Sequence, residues 1–339
     1  MRTAVILVLI CLTLTGCTRL RFIVDAVPSG DAMTETIVLD DRPRGWSVPK
    51  VAMIEVTGLI ADAKRSGLLQ QGFNPVGEFL EALQRAERDQ AVRAVIIRIN
   101  SPGGTVTASD VMHRELLGFR ERSGKPAIIF MSDVAASGGY YLACAGDEII
   151  AHPTTITGSI GVVIQTFNVH EGLRRIGIRA EAITSGPNKA AGSPFEPPKS
   201  PALRALFQGL VDEFYDNFVT LVRSRRPSLS MDHLEEVTDG RVVTGRRALE
   251  VGLIDELGDL RTAFNAAKRR MGVETARLVK YHRPLDYVGS AYSRVLGDAS
   301  GGVSGQINLL QLNLGDLGSL NQPGFYYLWD PTAFDVSGN

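Results

Sequence analysis

Hydrophobic positions along this chain follow two periods, and from Val51 onward the two alternate. Val51–Val56, Val95–Ile99 and Ala127–Met131 are short apolar runs of the kind that form strands covered on both faces. Shorter strand-like runs follow at Glu148–Ala151, Val162–Phe167 and Arg179–Ile183. Between the runs the spacing lengthens to that of a helix. Asn74-Pro75 offers an N-cap with proline at the first helical position, and Phe79, Leu80 and Leu83 then share one face. A second helix is predicted from about Ser109 to Arg122, stopped by Gly124. Strands and helices taken in turn predict an α/β fold with a largely parallel sheet.

The pattern changes on either side of this core. Five of the sixteen prolines fall between Pro187 and Pro201, which predicts an extended loop. Apolar residues from Leu203 to Val222 then keep helical spacing for about six turns, a stripe wide enough to pack on a core or on a partner subunit. Shorter helices are predicted near Asp232–Val237, Arg246–Val251 and Leu260–Arg270. Residues 17–50 show no sustained period and read as a tether with one strand around Thr36–Leu39. Residues 51–285 read as one domain. Residues 286–339 are glycine-rich and poor in charge, and they read as a flexible tail whose aromatic cluster Phe325–Trp329 makes a sticky end.

The first residues carry a different signal. One arginine precedes an apolar run from Ala4 to Leu14, the layout of a secretory signal and well short of the ~20 residues that cross a bilayer. The run closes on Leu14-Thr15-Gly16-Cys17, which resembles the lipobox of bacterial lipoproteins. That resemblance implies removal of residues 1–16, lipidation of Cys17 and attachment to a membrane of the bacterial cell envelope. Thr18, where an aspartate would signal inner-membrane retention, favours the outer membrane. The chain has three cysteines, too few for a disulfide scaffold and not spaced as a zinc site. A formal net charge of −1 removes the basic excess of a nucleic-acid binder.

Candidate chemistry centres on Ala135-Ala136-Ser137-Gly138-Gly139-Tyr140-Tyr141, after a buried strand and before an apolar helix-like run. A serine at such a junction has its hydroxyl near the positive end of a helix, flanking glycines admit a substrate backbone, and the Gly138 amide can donate to an oxyanion. The bland alternative is a tight turn with a capping serine. A nucleophile needs a base. None of the five histidines (His113, His152, His170, His233 and His282) has a distinctive setting, although triad members need not be sequence neighbours. Seven lysines remain, against 29 arginines. Lys189 lies in a stretch, Ser185–Pro194, with no other charge, whereas its rival Lys199 sits in proline-rich, extended chain. A lysine base must be neutral, and burial can lower its pKa by ~3–5 units.

Taken together, Asn100–Gly104, Ala135–Tyr141, Thr157-Gly158-Ser159-Ile160-Gly161, Lys189, Asp239–Val242 and Gly252–Gly258 resemble the signal peptide peptidase A (protease IV) family of serine proteases. The similarity runs from about Val51 to Val279, and the ordered set is far more specific than any single motif. It implies a crotonase/Clp-protease-like fold, with Ser137 as nucleophile and Lys189 as general base. It further implies that Ser159 positions the lysine and that the amides of Gly138 and Gly104 form the oxyanion hole. No cofactor or metal is implied. Expected partners are apolar, signal-peptide-like peptides, a membrane reached through the lipid, and further copies of the chain in a ring. One copy of the motif set makes this a half-length member, and the apparent lipobox replaces the family's usual transmembrane anchor. Two other classes stay open at this point: a non-catalytic oligomeric membrane scaffold of the same fold, and a crotonase-like enzyme acting on acyl-CoA.

Overall fold

The computed structural model of the chain describes residues 33–41, 43, 47–63, 74–197, 200–283 and 325–329. The segment 1–16, Cys17 and Lys199 lie outside the described residues, as does most of the stretch 286–339. The strands are β1 (Thr34–Asp40), β2 (Lys50–Thr57), β3 (Val92–Ser101), β4 (Gly103–Thr105), β5 (Ala127–Ala136) and β6 (Glu148–Ala151). They continue with β7 (Ile156–Gly158), β8 (Val163–Ile164), β9 (Val242–Thr244), β10 (Glu256–Leu257), β11 (Arg277–His282) and β12 (Phe325–Leu328). The helices are α1 (Pro75–Arg88), α2 (Val106–Ser123), α3 (Gly138–Ala143), α4 (His170–Arg175), α5 (Pro201–Arg225), α6 (Met231–Val237), α7 (Gly245–Val251) and α8 (Leu260–Met271).

The three apolar runs become β2, β3 and β5, adjacent and parallel in a nine-stranded sheet of order β1-β11-β2-β3-β5-β6-β10, with β7 and β9 continuing from β5. Successive side chains in a strand face opposite ways, so each run feeds two cores. Ala52, Ile54, Val95, Ile97 and Ile129 point to the side closed by Phe79 and Leu83 of α1 and Met112, Leu116 and Phe119 of α2. Val51, Met53, Ala94, Ile96 and Ile128 point to the side closed by Leu260, Phe264 and Ala267 of α8. Each fully buried isoleucine contributes about 1.5–3 kcal/mol of transfer free energy, which is why the central strands are apolar on both faces. This is the α/β, largely parallel, helix-flanked architecture that the alternation predicts.

Local signals act as read. The Asn74 side chain accepts from the amides of Val76 and Gly77, and Gly124 closes α2 in the left-handed region at φ 66°. The strand β5 matters most for function because it changes neighbours. Its first half pairs with β6 and its last residues, Val134–Ala136, pair with β7, so along one edge it exchanges one neighbour for another within the same sheet.

Four expectations meet a different outcome. Val162–Phe167 contributes only the two-residue β8, and Arg179–Ile183 forms no strand, leaving Ile183 98% exposed. The stripe on α5 is buried only at Phe218 and Val222, near its C-terminal end, while Leu206 stays exposed. Within the segment read as a loose tail, Phe325–Leu328 is a strand, β12, seated between β4 and β8 in a separate three-stranded sheet. Periodicity reports amphipathicity, not what covers the apolar side, and for these segments the cover is remote in sequence or not found among the described residues. No helix among the described residues is long and apolar enough to cross a membrane.

Candidate active site

Ser137 is the single residue between β5 and α3. Its amide donates to the Gly158 carbonyl at 2.8 Å and its carbonyl accepts from Tyr141 at 2.8 Å, so one residue must end a strand and begin a helix. That demand forces φ to 52° and ψ to −115°, a conformation costing about 1–3 kcal/mol for a residue with a side chain. The side chain is 1% exposed, and Oγ has no hydrogen-bond partner among the described residues. A strained turn holding an unsatisfied hydroxyl is a costly arrangement for a capping serine, and Ser137 makes no side-chain cap bond.

The glycines around it serve close approach of backbones. A methyl on Gly138 would come 3.1 Å from the Gly104 amide nitrogen, and one on Gly103 would come 2.8 Å from the Gly138 nitrogen. Gly103 itself has φ 110°. The amides of Gly104 and Gly138 therefore lie side by side next to Ser137, as two donors to a single oxygen require. The Asn100–Gly104 turn is pinned from behind: Ser101 Oγ accepts from the Gly103 amide at 3.1 Å, and Asn100 Oδ1 accepts from Val134 at 3.2 Å.

Ser159 reaches the same place through sheet register. Ala136 pairs with Gly158, which sets the Thr157-Gly158-Ser159 turn alongside Ser137. Ser159 is 7% exposed at φ 49°, and its amide donates to the Arg241 carbonyl at 2.7 Å. The Asp239–Val242 motif is thus the outer support of this turn. Arg241 grips Asp239 at 2.7 Å and holds that carboxyl below its ordinary range.

Lys189 is not brought in. It lies exposed in the turn Gly186–Lys189, closed by its own amide donating to the Gly186 carbonyl at 3.1 Å. The surrounding segment carries Phe167, Val169, Ile176, Ile178, Ile183 and Phe195, all exposed. Within one chain, then, Ser137, Gly138, Gly104 and Ser159 converge while the expected base stands apart.

Other groups do not replace it. His113 is 5% exposed, and burial pushes its pKa down to about 4, so it is neutral at pH 7. His152 bonds Thr154 Oγ1 at 2.8 Å and His170 bonds the Phe195 carbonyl at 2.8 Å. Burial drives the Cys144 thiol up to about 12, which keeps it protonated and unreactive. No group of three or more His, Cys, Asp or Glu side chains among the described residues gathers as a metal site would.

Sequence reasoning missed an aromatic pocket beside the serine. Tyr141 and Phe218 enclose the ring of Tyr327 from β12, with centroids at 5.1 and 4.7 Å, and the Tyr327 hydroxyl donates to the Phe214 carbonyl at 2.9 Å. His113 meets Tyr141 edge-on at 5.2 Å, and the Tyr141 hydroxyl donates to Asp110 at 2.9 Å. The signal was there, an aromatic cluster in a segment poor in charge, but its target was not.

The chain is similar to known peptidases. The family model described as Peptidase family S49 matches residues 120–274. A putative signal peptide peptidase SppA of Enterococcus faecium is 30% identical over 269 residues, covering 79% of this chain and 74% of its own length. Protease 4 of Haemophilus influenzae is 32% identical over 307 residues, covering 86% of this chain but 48% of its own length. A chloroplastic serine protease SPPA of Arabidopsis thaliana is 37% identical over 239 residues, covering 69% of this chain and 35% of its own. The chain spans about half the length of the Haemophilus influenzae relative.

Proposed function

The chain belongs to peptidase family S49, a family of serine-type peptidases, and on that premise we propose that it is a membrane-tethered endopeptidase using Ser137 and Lys189. The observation that carries the reading is the buried Ser137 Oγ, without a hydrogen-bond partner among the described residues, in a strained turn beside the amides of Gly104 and Gly138. Neutral Lys189 removes the Oγ proton as Oγ attacks a peptide carbonyl carbon. The developing oxyanion accepts from the two amides, the lysine returns the proton to the departing amine, and water then hydrolyses the acyl-enzyme. A lysine in water, with a pKa of ~10.4, is neutral in only about one molecule in 2,500 at pH 7, so a lysine base needs a dry setting.

An exposed Lys189 on an arm studded with apolar side chains has no such setting in a single chain. Docking of the arm onto a second copy would desolvate it, cover the exposed phenylalanines and isoleucines, and deliver Nζ to the neighbour's Ser137 and Ser159. A homo-oligomeric ring with sites shared between protomers follows. Apolar peptides such as released signal peptides suit a wall built of Tyr141 and Phe218, and a lipid on Cys17 would hold the enzyme at the envelope membrane where those peptides arise.

A fluorophosphonate probe should label wild type and leave Ser137→Ala unlabelled; equal labelling overturns the nucleophile. Peptide cleavage should be lost in Lys189→Ala and kept in Lys199→Ala. Mixed Ser137→Ala and Lys189→Ala protomers, each inactive alone, should regain activity if the site is shared. Mass spectrometry of the mature N-terminus should find an acylated Cys17.

A further inference from the structure

The strand β5 departs from regular pairing just before it reaches the serine. On the β3 side Ile99 stands opposite Met131 and Ser101 opposite Ala135, so Ser132, Asp133 and Val134 face Asn100 alone. On the other side β6 stops at the pair Met131–Ala151 and β7 starts at the pair Val134–Ile156. Ser132 and Asp133 therefore pair with neither strand. A bulge of this kind re-aims the residues that follow it, and Ser137 is three residues beyond Val134.

Buried backbone groups that lose their ladder partners must find others. Side chains supply them on both edges. Asn100 Oδ1 accepts from the Val134 amide at 3.2 Å, and Arg98 Nε donates to Ser132 Oγ at 3.0 Å. Across the bulge, the Thr155 hydroxyl donates to the carbonyls of Ser132 and Met131, the latter at 3.1 Å. Thr155 is fully buried and its own backbone is fixed: its amide donates to the His152 carbonyl at 2.9 Å, and its carbonyl accepts from the Gly245 amide at 2.7 Å.

The consequence lies downstream. Thr155 immediately precedes β7, whose pairing with β5 ends on Ala136–Gly158, and the Ser137 amide then donates to the Gly158 carbonyl. Thr157 repeats the contact two residues on, its buried hydroxyl donating to the Ala135 carbonyl at 2.7 Å. Ser137 ends β5 and Ser159 follows β7, so the register of these two strands sets one serine against the other. A parallel strand rises about 3.3 Å per residue, and a one-residue slip turns every side chain to the opposite face. Misplacing reacting atoms by even ~1 Å can cost on the order of 100-fold in rate.

We propose that Thr155 is a positioning residue for acyl transfer: its hydroxyl fixes the β5 bulge, and with it the register that holds Ser137 and Ser159 in place. The proposal rests on the serine-peptidase reading of Ser137. No motif marks this threonine, because it acts through backbone carbonyls 23 and 24 residues earlier in the chain.

Thr155→Val keeps the shape and removes the donor, whereas Thr155→Ser keeps the donor and loses a methyl group. The valine variant should slow fluorophosphonate labelling of Ser137 and lower kcat for a peptide substrate tenfold or more, with KM within twofold of wild type. The serine variant should stay within threefold of wild type in both. If the valine variant does not fold, Thr155→Ala takes its place with the same expectation. Ile96→Val, in the core under α8, reports the effect of lost stability alone and should keep the wild-type labelling rate. Equal rates in wild type and Thr155→Val, equal losses in the valine and serine variants, or an equal loss in Ile96→Val would overturn the proposal. Amide hydrogen exchange at Ser137 and Ser159 separates the two readings. Faster exchange in Thr155→Val but not in Thr155→Ser, with no labelling of any form, keeps the register role and removes the peptidase reading. Unchanged exchange with wild-type labelling in Thr155→Val removes the positioning role and keeps the peptidase.

Discussion

His113 should make the fold sensitive to mild acid. It sits on α2 behind the aromatic pocket, 5% exposed, with Nε2 lacking any hydrogen-bond partner among the described residues. Burial is the chief cause of its lowered pKa, from 6.5 to about 4; Arg225, Arg114 and Arg120 push the same way and Asp110 opposes them. An unfolded chain takes up this proton near pH 6.5, whereas the folded chain resists it until about pH 4. Protons therefore favour the unfolded state throughout that window, and stability falls as pH drops from 6.5 to 4. At ~1.36 kcal/mol per pH unit the full loss is about 3.4 kcal/mol, of which about 1.8 kcal/mol falls between pH 7 and pH 5. Urea unfolding of wild type and His113→Phe at pH 7, 6 and 5 measures it. The phenylalanine keeps an edge-on ring against Tyr141 and removes the titrating group, so the variant should lose about 1.8 kcal/mol less than wild type over that range. Parallel curves for the two proteins would refute the reasoning.

Other perturbations bear on separate parts of the molecule. Ser137→Gly should abolish labelling yet raise stability by about 1 kcal/mol, because glycine adopts the observed backbone without strain and removes a buried orphan hydroxyl; a less stable variant in thermal unfolding contradicts this. Arg225 donates to the carbonyls of Cys144 at 2.6 Å and Gly146 at 2.9 Å, so Arg225→Ala should cost about 2–3 kcal/mol by leaving both unsatisfied. Iodoacetamide at pH 8 should leave native Cys144 unmodified and react only after unfolding, as intact-mass measurement can show.

Much of the architecture was legible because it depends on local patterning. The runs Val51–Val56, Val95–Ile99 and Ala127–Met131 had to be central strands, since only a doubly covered strand needs apolar residues at successive positions. Asn74-Pro75 and Gly124 marked helix ends through backbone chemistry that acts within three or four residues. Ser137, Gly138, Gly104 and Ser159 stood out as residue types in motifs, and the structure gathers them in one place. Arg179–Ile183 had a strand's composition but finds no neighbour strand among the described residues, and strand formation requires one. Phe325–Trp329 had the opposite history: its composition announced stickiness, and only pairing with Gly103–Thr105 and Val163–Ile164 gave it a conformation.

By itself, then, the sequence determined the central strands and most helices, where several of them stop, and which serine and glycines stand out in motifs. Those properties follow from side-chain period, backbone freedom and functional groups, all of which act over a few bonds. Tertiary structure decided the rest: that β5 exchanges β6 for β7 to set Ser137 beside Gly158, that the backbones of Gly104 and Gly138 lie together, that Lys189 is exposed, and that Tyr327 pairs with Gly104. Each depends on sheet register and on which edge meets which partner. No short stretch of sequence encodes those, because a strand's hydrogen bonds are the same whatever chain completes them.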